Sequence, residues 1–542
     1  VNIMNINDNR PEMAIKDVFN TDGTFVIDEN GIETGKELLE RKATGYVSYV
    51  RGDNPYTFPY RIWPKDFSPE NTFEQRIKPE KQLNGSNISQ PLEILDLFLS
   101  DIGEYQKKGY KYIIDQIRTK ANRKDGPDVK IPDEPEGVEE TKGDDMPQMG
   151  GATEEEEAVE EEDAVEEEDA VEEEDAVEEE DAVEEEEAVN KIKIGDELEE
   201  SQLPTPDDAA RREEVVMSEE AEMRLPTFDN MERFGYQMLM KPLESLIMVY
   251  PNKRLDDDSS AKNISGIVGK EGLNRVMSHK QTNKIRHSFK YKDDAMRDYG
   301  RIFSRSEIGK YSGKIKSICE SVMKSTGVVL IYSQYIDGGI IPIALALEEL
   351  GLTRASGGKS LFETPPTDPI DAATLKPKSE VEGDEFNSAK YVMITGDKSI
   401  SPDNVADLKS VTSLDNINGE KVKVVLISLA GAEGLDFKFI RQVHVVEPWY
   451  NMNRIEQIIG RAVRTCSHKN LDFIDRNVEI YLHGTLIKDS DEEAADLYVY
   501  RVAEAKAVTM GRVSRVIKTI AVDCLLNSEQ MNFTIEGMKE NG

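Results

Sequence analysis

The sequence is poor in the residues that staple or metallate small proteins. Its three cysteines, Cys319, Cys466 and Cys524, lie far apart with no Cys-x-x-Cys pair, which argues against a zinc site or a disulfide framework and fits a reducing compartment. The five histidines, His279, His287, His444, His468 and His483, form no ligand-spaced cluster, so no metal centre is expected. His444 alternates within an apolar stretch and reads as a packed residue. No apolar run approaches the roughly 18–20 residues needed to cross a bilayer, and the N-terminus lacks a basic stretch leading into an apolar one. The expectation is a soluble intracellular protein with no membrane partner. The first residue is Val1 rather than Met, which adds the expectation that an upstream part precedes it.

What abounds is negative charge, and it is concentrated in one place. The formal net charge is -40, yet residues 154–189 alone hold 24 Glu or Asp among 36 positions, leaving -16 for everything else. That tract repeats the hexapeptide Ala-Val-Glu-Glu-Glu-Asp. A period of six matches neither helix nor strand, and the like charges repel, so the expectation is a disordered acidic repeat. A single charged helix is the alternative, since Glu and Ala form helices well.

The 542-residue chain has room for two or three domains of roughly 100–200 residues. It divides into an N-terminal ordered region, 1–123, of mixed α/β character; an acidic low-complexity linker, 124–225; a return segment, 226–309; an α/β lobe, 310–490; and a C-terminal helical extension, 491–542. Within the first region, Ile32, Leu38 and Leu39 have helical spacing before the aromatic stretch SYVRGDNPYTFPYRIWP, and Gln90 to Lys120 reads as a helix carrying Leu92, Ile94, Leu95, Leu97 and Leu99. LMKPLESLIMVYPN suggests a helix followed by extended chain. The basic run KQTNKIRHSFKYK, residues 280–292, interleaves cations with His287, Phe289 and Tyr291; it suits a phosphate backbone with stacked bases or, equally, a solvated helix face.

From Tyr311 onward strands and helices alternate. VVLIY (328–332), KYVMIT (390–395), VKVVLI (422–427), RQVHVVE (441–447) and NVEIYLH (477–483) read as strands, with helices over 315–324, 338–350, 404–411, 454–463 and 492–507. Short Val- and Ile-rich strands alternating with helices imply a parallel sheet covered on both faces. Ligands of such sheets gather at the strand C-terminal ends.

Two segments at those ends carry chemistry. In QIIGRAVR, offsets of four and three place Gln457, Arg461 and Arg464 on one helical face, leaving Ile458, Ile459 and Val463 for the sheet. Paired guanidiniums suit a phosphate chain, because each offers a fork of donors and stabilises charge on a transferred phosphoryl group; a solvated basic face is the bland alternative. In SLAGAEGLDF, Gly431 and Gly434 permit a sharp turn close to a phosphate or sugar, while Glu433 and Asp436 supply acceptors. A plain strand-to-helix connection is the alternative there.

These segments resemble the core motifs of superfamily 2 helicases. SLAGAEGLDF is similar to motif V, EPWYNMNRIEQIIGRAVR to the run into motif VI, VVLIYSQY to motif IV, and YVMITGD to the segment after it, all in the family's order over roughly residues 310–485. The Gly-Arg-x-x-Arg element behind Glu-Pro-Trp-Tyr-Asn resembles Swi/Snf-type translocases in particular. SYVRGDNPYTFPYRIWP and YSGKIKSICESV resemble segments of transcription-associated helicases of large nucleocytoplasmic DNA viruses, of the poxvirus early transcription factor and nucleoside triphosphatase I type. The resemblance implies a RecA-like C-terminal lobe, with residues 1–300 as an interlobe insertion that is mainly helical and enlarged by the acidic repeat. It implies Arg461 and Arg464 as arginine fingers, Gln457, Gly460, Glu433, Gly434 and Asp436 at the nucleotide, and Ser333, Gln334, Thr395, Gly396, Ser428 and Gly431 at nucleic acid, DNA ahead of RNA. A viral protein of this kind would work in the viral factory, the cytoplasm or the virion.

ATP with Mg²⁺ would be held mostly by a first lobe bearing Gly-x-x-x-x-Gly-Lys-Ser/Thr and an acidic magnesium motif. The GGKS at residues 357–360 fails as that loop, because Thr353 stands where the first glycine belongs and the segment follows a helix. No Asp-Glu element follows a strand; Asp133-Glu134 lies in the Pro-rich linker. The chain therefore reads as half of an ATP-driven motor, inactive alone. The competing expectation is a non-enzymatic interaction protein, whose acidic tract mimics nucleic acid and docks on RNA polymerase or other basic proteins.

Overall fold

The computed structural model describes residue 5 and residues 10–20, 23–49, 57–121, 236–257, 264–282, 285–355, 360–381, 386–429 and 435–527. The acidic repeat, the rest of the 124–225 linker, and Gly357 to Lys359 lie outside the described residues.

Ten strands are described: β1 Tyr60–Ile62, β2 Phe98–Asp101, β3 Met277–Thr282, β4 Ile285–Tyr291, β5 Val328–Tyr332, β6 Thr353–Arg354, β7 Lys390–Ile394, β8 Val424–Ile427, β9 Ile440–Val445 and β10 Asn477–Leu486. All but β3 and β4 join one parallel sheet of order β1-β10-β9-β5-β8-β7-β6, with β2 also on β10. The long β10 pairs β1 through Asn477 to Glu479 and β2 through His483 to Leu486. Residues from before the acidic tract thus complete the edge of a sheet built after it.

The longer helices used below are α1 Thr34–Ala43, α2 Glu104–Ala121, α3 Tyr236–Ile247, α4 Gly313–Val322, α5 Ile341–Glu349, α6 Asn404–Thr412, α7 Met452–Ala462 and α8 Ala495–Thr519. The strand period of two divides each central strand between two cores. Val329 and Ile331 of β5, Tyr391 and Met393 of β7, and Val424 and Leu426 of β8 pack with α4 and α5. Their neighbours Leu330, Val392 and Val425 pack with Ile455, Ile458 and Ile459 of α7 on the other face. This is the RecA-like α/β arrangement: a parallel sheet with helices on both faces, joined to a largely helical N-terminal region through α1 and α2.

Several local expectations differ from what is found. The segment from Gln90 is not helical until Glu104, because Leu97, Phe98 and Leu99 are all buried and Phe98–Asp101 pairs with β10. The helix starts behind Gly103, whose N–H, like that of Gly313, donates to Gln106 Oε1 (3.1 and 3.0 Å). The run KQTNKIRHSFKYK is a hairpin rather than a helix face, its cross-strand pairs running from Met277–Tyr291 to Thr282–Ile285. The GGKS segment, read as following a helix, is preceded by the short strand β6, which includes Thr353. Finally, α8 begins at Ala495 and runs to Thr519, beyond the 492–507 read from spacing.

Candidate functional site

Register fixes where the sheet ends. Tyr332 of β5 is level with Ile427 of β8 and Val445 of β9, and Ile394 of β7 is level with Ile427. Ser333, Thr395 and Ser428 therefore leave the sheet on one row, as ligand-binding edges of parallel sheets require.

The floor of that row is buried and hydrogen-bonded. Ser333, fully buried, donates to Glu447 Oε2 (3.0 Å), and the Gln334 N–H donates to Glu447 Oε1. Thr395 Oγ1 shares a 2.6 Å hydrogen bond with Ser401, and Gly396 N–H donates to Ser428 Oγ (3.3 Å). The three hydroxyls are thus engaged within the protein, while Gln334 is half-buried and Gly396 exposed. Behind Ser333 a π-turn over Ile336–Ile340 brings Gly339 against it. A Cβ there would sit 2.1 Å from Ser333 Oγ, so glycine is required.

Beneath the row lies a buried ionic arrangement. Lys314 of α4 donates to the carbonyl of Val446 (2.8 Å) and pairs with Asp496 in the first turn of α8 (2.8 Å), both side chains fully enclosed. Asp496 also accepts from Thr485 (2.7 Å). Burial pushes the Glu447 carboxyl up to about 7, against the opposing pull of its Gln334 hydrogen bond and of Lys314. Burial likewise pushes Glu244 of α3 up to about 7, with Asp337 adding to the rise. His444 is packed, as expected: it stacks on Tyr481 at 4.1 Å, and burial holds it down to about 3. Its Nδ1 lies 3.0 Å from His483 Nε2, a pairing that β9 and β10 create across thirty-nine residues and that spacing alone did not reveal. Among the described residues no group of three or more His, Cys, Asp or Glu side chains is placed to hold a metal.

The outer face of α7 is the opposite in character. Asn451 caps the helix by accepting from Asn453 N–H (3.0 Å). Ile455, Ile458, Ile459 and Ala462 are buried, while Gln457 is exposed and Arg461 half-exposed. Among the described residues neither Gln457 nor Arg461 has a side-chain hydrogen bond or ion pair. A Cβ on Gly460 would meet nothing within 4 Å, so the surface beside them is open. Arg464 departs from the shared-face expectation, since the helix closes at Val463, whose N–H bonds Ile459 O. Arg464 instead reaches Asp436 (2.9 Å), and Phe437 N–H donates to Arg461 O (3.1 Å). The end of the glycine-containing turn and the start of the arginine segment are thus in contact. Gly431, Glu433 and Gly434 lie outside the described residues.

The sequence had not singled out Arg286. It is buried on the hairpin, and it joins Asp337 after β5 (2.6 Å) to Asp397 after β7 (2.8 Å), while bonding Ser399 Oγ (3.1 Å). The only advance signal was a lone Arg amid apolar alternation in that basic run. Trp449 and Tyr450, in the loop beyond β9, stack at 5.6 Å, with Arg454 over Trp449 and Lys506 over Tyr450.

Residues 343–466 match the helicase conserved C-terminal domain family, a span from α5 through the arginine segment. The termination factor NPH-I homolog of African swine fever virus is 28% identical over 237 residues, covering 40% of this chain and 33% of that protein. A putative ATP-dependent RNA helicase of Acanthamoeba polyphaga mimivirus is 36% identical over 121 residues, 21% of this chain and 15% of its own length. A putative helicase of Invertebrate iridescent virus 3 is 26% identical over 237 residues, 42% and 22% of the two chains. These relatives agree with the resemblance drawn from the motifs: the chain carries a helicase conserved C-terminal domain over residues 343–466 and is similar to helicases of large DNA viruses. It spans about a third or less of the length of these relatives. The solved C-terminal part of the Fun30 ATPase domain covers 39% of this chain and 53% of that one at 15% identity and a TM-score of 0.23, so the fold rests on the strand order above rather than on that likeness. No helix among the described residues is long and apolar enough to cross a membrane.

Proposed function

We propose that this chain, carrying a helicase conserved C-terminal domain over residues 343–466, is the second lobe of an ATP-driven nucleic-acid translocase serving viral transcription. The observation that carries the proposal is the contrast at the strand ends: a row of engaged hydroxyls beside an α7 face whose Gln457 and Arg461 are unengaged. Guanidiniums with free donors are the groups that stabilise charge developing on a phosphoryl group in transfer. The residues present fit one side of a nucleotide only. Arg461, with Arg464 released from its exposed pair to Asp436, would face the phosphates, and Gln457 and the open surface at Gly460 would border them. Glu433, Gly434 and Asp436 would link that nucleotide to nucleic acid held along Gln334, Gly396, Ser428 and Gly431, with Ser333 and Thr395 shaping the floor. The phosphate loop and the Mg²⁺ site belong to a first lobe. DNA is the proposed track ahead of RNA.

The test is nucleic-acid-stimulated ATP hydrolysis by the two-lobed parent protein. Arg461→Ala should lower turnover about 10³-fold or more and leave nucleic-acid affinity near its original value; unchanged turnover removes the arginine-finger role. The 24 carboxylates of residues 154–189 support an additional role in docking basic proteins, RNA polymerase among them. Deleting the tract should abolish that docking and leave stimulated hydrolysis in place.

A further inference from the structure

In a chain of net charge -40, residues 277–292 contain five Lys or Arg and neither Asp nor Glu. They form the β3–β4 hairpin, which lies outside the main sheet. The body of the protein fixes that hairpin at several points. Phe289 is fully buried; its N–H donates to Leu361 O (2.7 Å) and its carbonyl accepts from Glu363 N–H (2.9 Å). Arg286 N–H donates to Ser399 O (2.7 Å), and the guanidinium is taken up by Asp337 and Asp397. Those two carboxylates belong to the loops that follow β5 and β7. The hairpin is therefore anchored on the rim that carries Gln334 and Gly396.

With Arg286 spent on anchoring, the other described cations of the segment are at the surface. Ser278 and Lys290 are register partners, both exposed, and Lys280, beyond an irregularity in the pairing, is exposed as well. Lys280 meets one acid, Glu363, but its side chain is 65% exposed, and such an ion pair is worth little in water. Lys292 is exposed and donates to the carbonyl of Asn274. An acid-free strand pair with exposed lysines complements a polyanion with regularly spaced charges.

We infer that the β3–β4 hairpin is a second contact for the nucleic-acid backbone, in which Lys280, Lys290 and Lys292 bind phosphates as the strand passes the rim. This rests on the reading of the chain as a nucleic-acid-binding lobe. The contact is one of position and affinity, since ammonium groups on phosphates carry no base information. Arg286 sets the hairpin's place without touching the ligand.

The experiment measures binding of the full chain to a fluorescein-labelled mixed-sequence single strand, and to its duplex, by anisotropy from about 50 to 200 mM KCl. Replacing Lys280, Lys290 and Lys292 together with alanine should reduce the slope of log affinity against log salt by about 2.1–2.7, at about 0.7–0.9 per lost phosphate contact, and weaken binding about tenfold at 200 mM KCl and more at 50 mM. The corresponding triple arginine variant should restore the slope, which a mere folding defect would not allow. An unchanged slope in the alanine variant overturns the inference while leaving the lobe assignment standing; so does an arginine variant as impaired as the alanine one. If the unaltered chain binds neither probe, both the hairpin contact and the reading beneath it fall.

Discussion

The row of strand ends and the outer face of α7 lie in the same domain, yet they treat polar groups in opposite ways. At the row, Ser333, Thr395 and Ser428 are buried, and their hydroxyls are engaged by Glu447, Ser401 and Gly396. On α7 the side chains of Gln457 and Arg461 have no partner among the described residues, and just past the helix the Arg464 side chain holds the exposed Asp436. A buried polar group must be satisfied or it costs stability; an exposed guanidinium can wait for a ligand. The first region holds its polar groups in place, and the second leaves donors available for the ligand proposed above.

The largest expected effect tests the rigid side. Lys314→Ala would leave Asp496 buried without its cation, which costs about 3–5 kcal/mol; chemical denaturation of the full chain reads this out. Lys314→Met combined with Asp496→Leu should recover most of the loss, since a well-packed apolar pair can replace a buried ion pair. Recovery failing to appear would mean that the ionic character itself, not its pairing, is required.

Glu447 gives the next effect and a pH signature. Its folded carboxyl sits at about 7 against an ordinary 4.5, so the folded state holds its proton more tightly than the unfolded chain does. That contribution is fully present below pH 4.5 and is lost as pH rises towards 7, by about 3 kcal/mol in all. Glu447→Gln should flatten that window, shown by subtracting its stability profile from that of the unaltered chain between pH 4.5 and 8. Glu244 has the same sign, and because its charge also raises Glu447, a Glu244→Gln chain is the second reference for that profile. A flat difference profile would show that Glu447 is not the group that titrates.

The smallest effect belongs to the exposed arginine segment. Arg464→Ala removes an ion pair whose side chains are 44% and 64% exposed, and its cost to stability should stay below about 1 kcal/mol. A larger loss in a thermal melt would place Arg464 among the structural groups and erase the contrast.

The sequence was most legible where one period ran unopposed. β5, β7, β8, β9 and α7 lie within a few residues of where their apolar spacing put them, because each packs into one of two large cores along a regular strand or helix. It was least legible where tertiary pairing overrode local preference. Leu97 and Leu99 were read as helical, but β10 offered an unpaired edge and took Phe98–Asp101 as a strand. The basic run hid a hairpin because its charges obscured the alternation of Ile285, Phe289 and Tyr291. Within the site, the contact of Asp436 with Arg464 follows the motif order, whereas Arg286, Glu447 and Lys314 act across fifty or more residues of chain. No spacing rule reaches that far. The glycines of the turn, Gly431 and Gly434, and the acidic repeat lie outside the described residues.

Arg461 tests the contrast most directly, through the paired measurement of melting temperature and nucleic-acid-stimulated ATP turnover for Arg461→Lys in the proposed two-lobed protein. The substitution keeps the positive charge but removes the planar fork of donors. Turnover should fall by orders of magnitude while the melting temperature stays within about a degree or two, as for a surface change of under about 0.5 kcal/mol. Full turnover, or a melting temperature that drops together with activity, would contradict the account.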